Sequence, residues 1–301
     1  MSPAATGHLA MLAFSALVAG SFSLGALVAN DIAPMALNAV RFGIAAAVLA
    51  VLVAAGPGFR RVHAAAPWRY LLLGSVFAIY FVLMFEGLKT APPVSAGAVF
   101  TLTPVMTAAF AWVLLSQAMT ARMAAALAVG AFGALWVIFR GDPAAALALD
   151  LGRGEAIYFL GCIAHAAFTP MLRLFNRGEP GVVVTTHVAL SCCIVLVVTG
   201  WPAIRATDWA GLAPLVWGTI LYTAVFASAA TFFLLQHAAQ VLPSSKVMAY
   251  TYLTPSWIIL WELALGHGLP SALVLPGVGL TAVALLLLLK NEDAAPRPAP
   301  S

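Results

Sequence analysis

The sequence predicts an all-α integral membrane protein: ten transmembrane helices in two inverted five-helix repeats that form a basket around a central cavity. Three observations carry this. Of 301 residues, 63% are hydrophobic and 8% charged, against roughly 25% charged in a soluble domain. Long runs such as Leu273 to Leu289 are apolar on every face; barrel strands alternate instead, and in lipid such a run must satisfy its backbone internally as a helix. The third observation is that the chain repeats itself. At an offset of 151, Pro92 meets Pro243, Ala98 meets Ala249, and Leu102-Thr103-Pro104 meets Leu253-Thr254-Pro255. At an offset of 146, Phe22 meets Phe168, Ser23 meets Thr169, Pro34 meets Pro180 and Arg41 meets His187. Two ordered matches point to one unit written twice.

The first span, 8–29, lacks the basic cluster of a secretory signal and is too long for one. Nine more follow: 34–55, 67–89, 93–115, 120–139, 152–174, 180–200, 211–239, 243–266 and 270–289, each of membrane-crossing length. Proline and glycine punctuate the connections: Pro34, Gly56-Pro57-Gly58, Pro92-Pro93, Gly141-Asp142-Pro143, Gly178-Glu179-Pro180, Pro202 and Pro270. The repeats are therefore 8–139 and 152–289. Residues 290–301, rich in proline, alanine and charge, read as a disordered tail. Because each repeat holds an odd number of spans, the second enters the membrane upside down. Inverted repeats with a site at their interface are the pattern of alternating-access transporters.

Orientation follows from the basic residues. Arg60, Arg61, Arg69, Arg122, Arg173, Arg177, Lys246, Lys290 and Arg297 fall on the side of the termini; Lys89, Arg140, Arg153 and Arg205 fall on the other. Nine against four puts both termini in the cytoplasm. The net charge of +4 is then a topology signal rather than a nucleic-acid patch. Cys162, Cys192 and Cys193 lie in apolar runs and offer neither a disulfide framework nor metal spacing. No metal and no cofactor is expected. Trp201, Trp209 and Trp217 read as interfacial anchors.

Few polar groups lie inside the spans. Arg41, about two turns into the second, costs about 2.5–3.5 kcal/mol at a helix centre and should face the bundle. It either holds a substrate carboxylate or gating partner, or makes an internal structural pair. Asn38 lies one turn before it on the same face. The sixth span carries a stripe of Glu155, Tyr158, Cys162, His165 and Thr169; His165 serves substrate or proton, or is a neutral histidine bonded to a neighbouring helix. Phe77, Tyr80, Phe81 and Met84 share a face of the third span, which is either packing or an apolar lining. Pro104 and Pro255, near the middle of their spans, bend the helix as gating hinges or as static kinks. Thr101 and Tyr252 correspond in the repeat and lie about a turn before those prolines, facing the cavity. Glu262, two turns beyond Pro255, binds an ammonium or proton, or reaches the interface. His165, Glu86 and Glu262 are the plausible proton carriers.

Gly20-Ser21-Phe22, Pro34 with Arg41-Phe42, and the paired Leu-Thr-Pro resemble the drug/metabolite transporter superfamily, in its ten-helix, EamA-type branch, over residues 8–289. Within it the chain is similar to bacterial exporters of aromatic amino acids. The resemblance implies an inner-membrane exporter of aromatic and other neutral amino acids, with helices 3–4 and 8–9 as moving gates, and no enzyme. Two departures stand out: the first span lacks the glutamate of four-helix multidrug members, and only Arg41 sits well inside a span where sugar-phosphate members use several basic residues. Efflux of other small amphiphiles is the alternative in the same class. An intramembrane enzyme would need H-E-x-x-H, G-x-S-x-G or paired intramembrane aspartates, and Asp31, Asp142, Asp150 and Asp208 all sit in connections. A channel is the third class.

Overall fold

Proline or a capping side chain sets most helix starts. In the computed structural model α1 covers Pro3–Val28 and begins five residues earlier than the apolar run, because the Ser2 hydroxyl accepts the Ala5 N–H. Then come α2 Pro34–Ala55, α3 Trp68–Gly87, α4 in two segments, Pro93–Phe100 and Thr103–Leu115, and α5 Ala121–Ile138, capped by Thr120. The second half holds α6 Arg153–Phe175, α7 Gly181–Thr199, α8 Pro214–Val241, α9 Thr254–Ala264 and α10 Leu275–Leu289. Short helices Pro143–Leu147 and Trp201–Ala206 lie in connections. The structure describes all residues except 1, 118, 149–150, 243–246, 248 and 290–301, and all side chains in those residues except 64, 236, 239 and 240. Pro243, Lys246, the start of the expected 243–266 span, Asp150, Lys290, Arg297 and the tail thus lie outside the described residues. Among the described residues, nine helices are long and apolar enough to cross a membrane.

The two kinks expected at Pro104 and Pro255 are breaks. Proline has no N–H for the carbonyl four residues back, and each proline here sits in the first turn of a restarted helix, where no such bond is needed. Thr101 and Leu102 form the turn before one restart; the 3₁₀ turn Tyr250–Leu253 precedes the other. In α8, residues Val225–Ala230 are wound as a π-helix.

Packing follows a pattern. α3 lies on α6 and α7, α2 on α7, α5 on α10, and the second segment of α4 on α6; α8 lies on α1 and α2, and α9 on α1 and on the first segment of α4. Exchanging α1–α5 for α6–α10 maps α3–α6 onto α8–α1, α3–α7 onto α8–α2 and α4–α6 onto α9–α1. The pairs α2–α7, α5–α10 and α4–α9 map onto themselves. The α5–α10 crossing is reciprocal: a Cβ on Gly133 would stand 2.7 Å from the Gly277 carbonyl, and one on Gly277 2.7 Å from that of Gly133. Only glycine permits so close a backbone approach. Large apolar side chains such as Val51, Trp112, Val113, Leu160 and Val198 remain exposed on the outside, as a bilayer requires.

Candidate functional site

Arg41 is 1% exposed in the middle of α2. Its Nε and Nη2 both donate to Ser228 Oγ, at 3.2 and 3.1 Å, and its guanidinium lies 4.1 Å from the centroid of the Phe81 ring. Ser228 belongs to the π-helix and passes its own proton to the Thr223 carbonyl at 2.8 Å. Widening one turn of α8 therefore presents a hydroxyl to the arginine, a use typical of such bulges. Among the described residues Arg41 makes no salt bridge, and its Nη1 is buried without a partner. Asn38, fully buried one turn earlier, donates to the Pro34 carbonyl at 2.9 Å and the Phe81 carbonyl at 3.4 Å, while its Oδ1 is likewise unpartnered. A buried unpaired donor and acceptor each cost about 1–3 kcal/mol, so both call for a ligand.

Beside this pair stands an aromatic wall. Phe81 packs edge-on to Phe77 (4.8 Å) and Tyr80 (4.6 Å); Tyr80 stacks on His165 at 4.4 Å, and Phe77 on Phe168 at 4.6 Å. Tyr80 and Tyr158 share a hydrogen bond of 3.0 Å between their hydroxyls. His165 Nδ1 is buried with no partner. Of the residues selected from sequence, Asn38, Arg41, Phe77, Tyr80, Tyr158 and His165 therefore form one connected group.

Others lie elsewhere. Thr169 and Pro104 border a hollow of about 360 Å³ between α4, α5, α6, α8 and α10, at the end where Leu288 closes α10. Thr101 is buried and bonds back to the Ala98 carbonyl. Tyr252 leans on α5, where a Cβ on Gly130 would strike its ring, and packs with Leu127, Leu285 and Leu288. Pro255 lies against Gly97 of α4. Glu262 reaches His267, 2.8 Å away just past α9, rather than Arg41. Glu86 pairs with Lys89 at 2.7 Å near the end of α3.

Sequence reasoning missed four features. Ser228 carries no periodic signal. Phe100 stacks on His165 at 5.6 Å. Trp257 and Trp261 reach α1, Trp257 Nε1 donating to Ser15 Oγ (2.9 Å) and Trp261 Nε1 to the Ala16 carbonyl (3.1 Å), and Tyr222, legible in sequence only as an aromatic of the eighth span, donates its hydroxyl to the Leu17 carbonyl (2.9 Å). Lastly, Arg69, counted from sequence only as a topology marker, is 2% exposed and pairs with Glu179 at 2.7 Å, with Tyr70 donating to the same oxygen at 3.2 Å. Burial pushes the Glu179 carboxyl up, but hydrogen bonds from Arg69 and from the Arg177 N–H overcome it and hold the carboxyl at about 2.

Comparison with known proteins adds the following. Two segments, residues 5–139 and 152–290, match the EamA-like transporter family. An uncharacterized transporter of Bacillus subtilis (strain 168), YyaM, is 25% identical over 264 residues, covering 86% of each chain. A crystal structure of a protein 19% identical in sequence aligns with a TM-score of 0.67 over 96% of this chain and 97% of that one, a likeness of fold.

Proposed function

The chain belongs to the EamA-like transporter family and is a multi-pass membrane transporter, and from that premise we propose that it exports amino acids, aromatic and other neutral ones, by alternating access. The observation that carries the cargo is the pairing on α2 of an unpartnered guanidinium nitrogen with an unpartnered amide oxygen. Arg41 Nη1 suits a carboxylate, Asn38 Oδ1 suits an ammonium, and Phe77, Tyr80, Phe81 and His165 supply a flat apolar wall for the side chain. An unpaired intramembrane arginine is a functional group by default. With Glu86 held by Lys89 and Glu262 by His267, His165 is the proton carrier in this group if export is proton-coupled.

For the mechanism, we read residues 8–139 and 152–289 as two inverted units. The exchange of packing partners supports this reading: each unit meets the other through equivalent contacts. Rocking one unit against the other then swaps the open end, with the breaks before Pro104 and Pro255 as hinges. The basic-residue bias supports an inner-membrane location with cytoplasmic termini. This carrier needs no bond-making step.

A panel of labelled amino acids in proteoliposomes, with and without a pH gradient, tests the reading. Exchange of labelled for unlabelled phenylalanine is expected; absence of exchange for every amino acid overturns it. The second reading, efflux of other small amphiphiles, is favoured by the mostly apolar hollow. It predicts exchange of aromatic carboxylates that lack the ammonium.

A further inference from the structure

We propose that the hollow at the end of the bundle where α1 begins and α10 ends is a loading site, separate from the Arg41 group, for a carboxylate-bearing amphiphile. The proposal rests on the amino-acid reading for the identity of that amphiphile.

The hollow's volume, about 360 Å³, lies within the range of small-molecule sites. Most of its wall is apolar, from Ala108, Ala111 and Leu115 of α4 to Leu235 of α8. Four polar residues interrupt that wall: Thr107, Gln117, Thr169 and Arg173. Arg173, in the last turn of α6, is exposed and makes one long contact, 3.5 Å to Gln117 Oε1, which leaves its fork open to a carboxylate. Thr107 Oγ1 is buried without a partner, although a helical threonine usually bonds back to the preceding turn. Thr169 stands one turn before Arg173 on the same face of α6.

Pro170, between them, leaves the Ala166 carbonyl without its helical N–H. The hollow thus joins a cation, Arg173, to the unpartnered hydroxyl of Thr107 and an apolar wall, which matches a carboxylate-bearing molecule with a second polar group and an apolar side chain. The α6 face continues from Arg173 through Thr169 to His165, so a molecule held here lies one helical turn from the aromatic wall. A purely topological arginine would instead reach the lipid headgroups; Arg173 borders the hollow.

The test uses the full chain in sealed vesicles. Ala108→Cys, in the wall of the hollow, is labelled with a membrane-impermeant maleimide from the side where α1 begins, in a Cys193→Ser background. The concentration of L-phenylalanine giving half-protection is then measured. Arg173→Gln is expected to raise it about tenfold, as for loss of one charge-assisted hydrogen bond. Arg173→Lys should recover part of the effect, and Arg41→Gln should leave protection unchanged.

Equal protection with Arg173→Gln, or its loss with Arg41→Gln, overturns a separate site. Export of phenylalanine without any protection overturns the loading site alone. Arg173-dependent protection in a protein that exchanges no amino acid supports the site and removes the export reading.

Discussion

The seam between α9 and α1 and the seam between α4 and α6 are counterparts, yet one is stapled and the other is hollow. Two side chains of α9 bind the first, Trp257 to Ser15 and Trp261 to Ala16, and Tyr222 of the neighbouring α8 adds a bond to Leu17 of the same helix. At the offset of 151, Met106 and Phe110 stand where Trp257 and Trp261 stand. They have no N–H to donate, and the second seam borders the 360 Å³ hollow. One backbone plan thus holds two different contacts because of two indole groups. What this teaches is that side chains alone can make two counterpart seams unequal: indole bonds tie one, and a hollow borders the other.

The largest way to break this contrast is at Arg41, which ties α2 to the π-turn of α8. Arg41→Gln should lower exchange of phenylalanine in proteoliposomes about a hundredfold, as for about 3 kcal/mol from a hydrogen bond to a charged group. Arg41→Lys should rescue little, since one ammonium cannot reproduce the planar fork. Next is the staple itself. Trp257→Phe with Trp261→Phe keeps an aromatic ring at each site but removes both donors and some packing; at about 1 kcal/mol for each bond, the stapled seam should open at least about thirtyfold more often. Faster maleimide labelling of Ile259→Cys, the counterpart of position 108, would show it; an unchanged rate would mean the indole bonds do not hold that seam.

Filling the hollow sharpens the comparison from the other side. Ala111→Leu should slow uptake from the end where α1 begins about tenfold, by occupying space a substrate crosses and by overpacking at about 1–3 kcal/mol, and should leave the stapled seam intact. The smallest effect concerns the Arg69–Glu179 pair near the Phe175 end of α6. Because the folded carboxyl is held at about 2 against an ordinary 4.5, its stabilisation is complete above about 4.5 and is lost as pH falls through 2. Thermal unfolding in detergent should therefore weaken from pH 6 to pH 3, and Glu179→Gln should flatten that fall. An equal fall in the variant would assign it to other carboxylates.

Much of the fold is legible in the sequence, because lipid leaves so few options: apolar length gives the spans and proline the starts. Arg41, Asn38, Tyr80, Tyr158 and His165 stand out because a polar group in an apolar helix must avoid lipid. Helical spacing then puts them on inward faces. What stays hidden depends on partners far away in sequence. Ser228 matters only because a π-turn aims it at a residue 187 positions earlier, and no periodicity announces that turn. Trp257 and Trp261 carry no signal until the Ser15 hydroxyl and the Ala16 carbonyl of α1 are placed beside them. Pro104 reads as a kink, but proline chemistry fits a helix restart equally well, and only the backbone decides. Glu262 stays open in the sequence between a buried pole and an interfacial group, because its partner, His267, lies past the end of the apolar run.

The reciprocal opening of the two seams is most directly tested by labelling Ala108→Cys and Ile259→Cys with an impermeant maleimide, added in turn to each side of sealed vesicles, with and without saturating L-phenylalanine. Alternating exchange of two inverted units predicts that the two cysteines react from opposite sides and that any change caused by phenylalanine speeds one while slowing the other. Reaction of both from one side, or rates that rise and fall together, would contradict it.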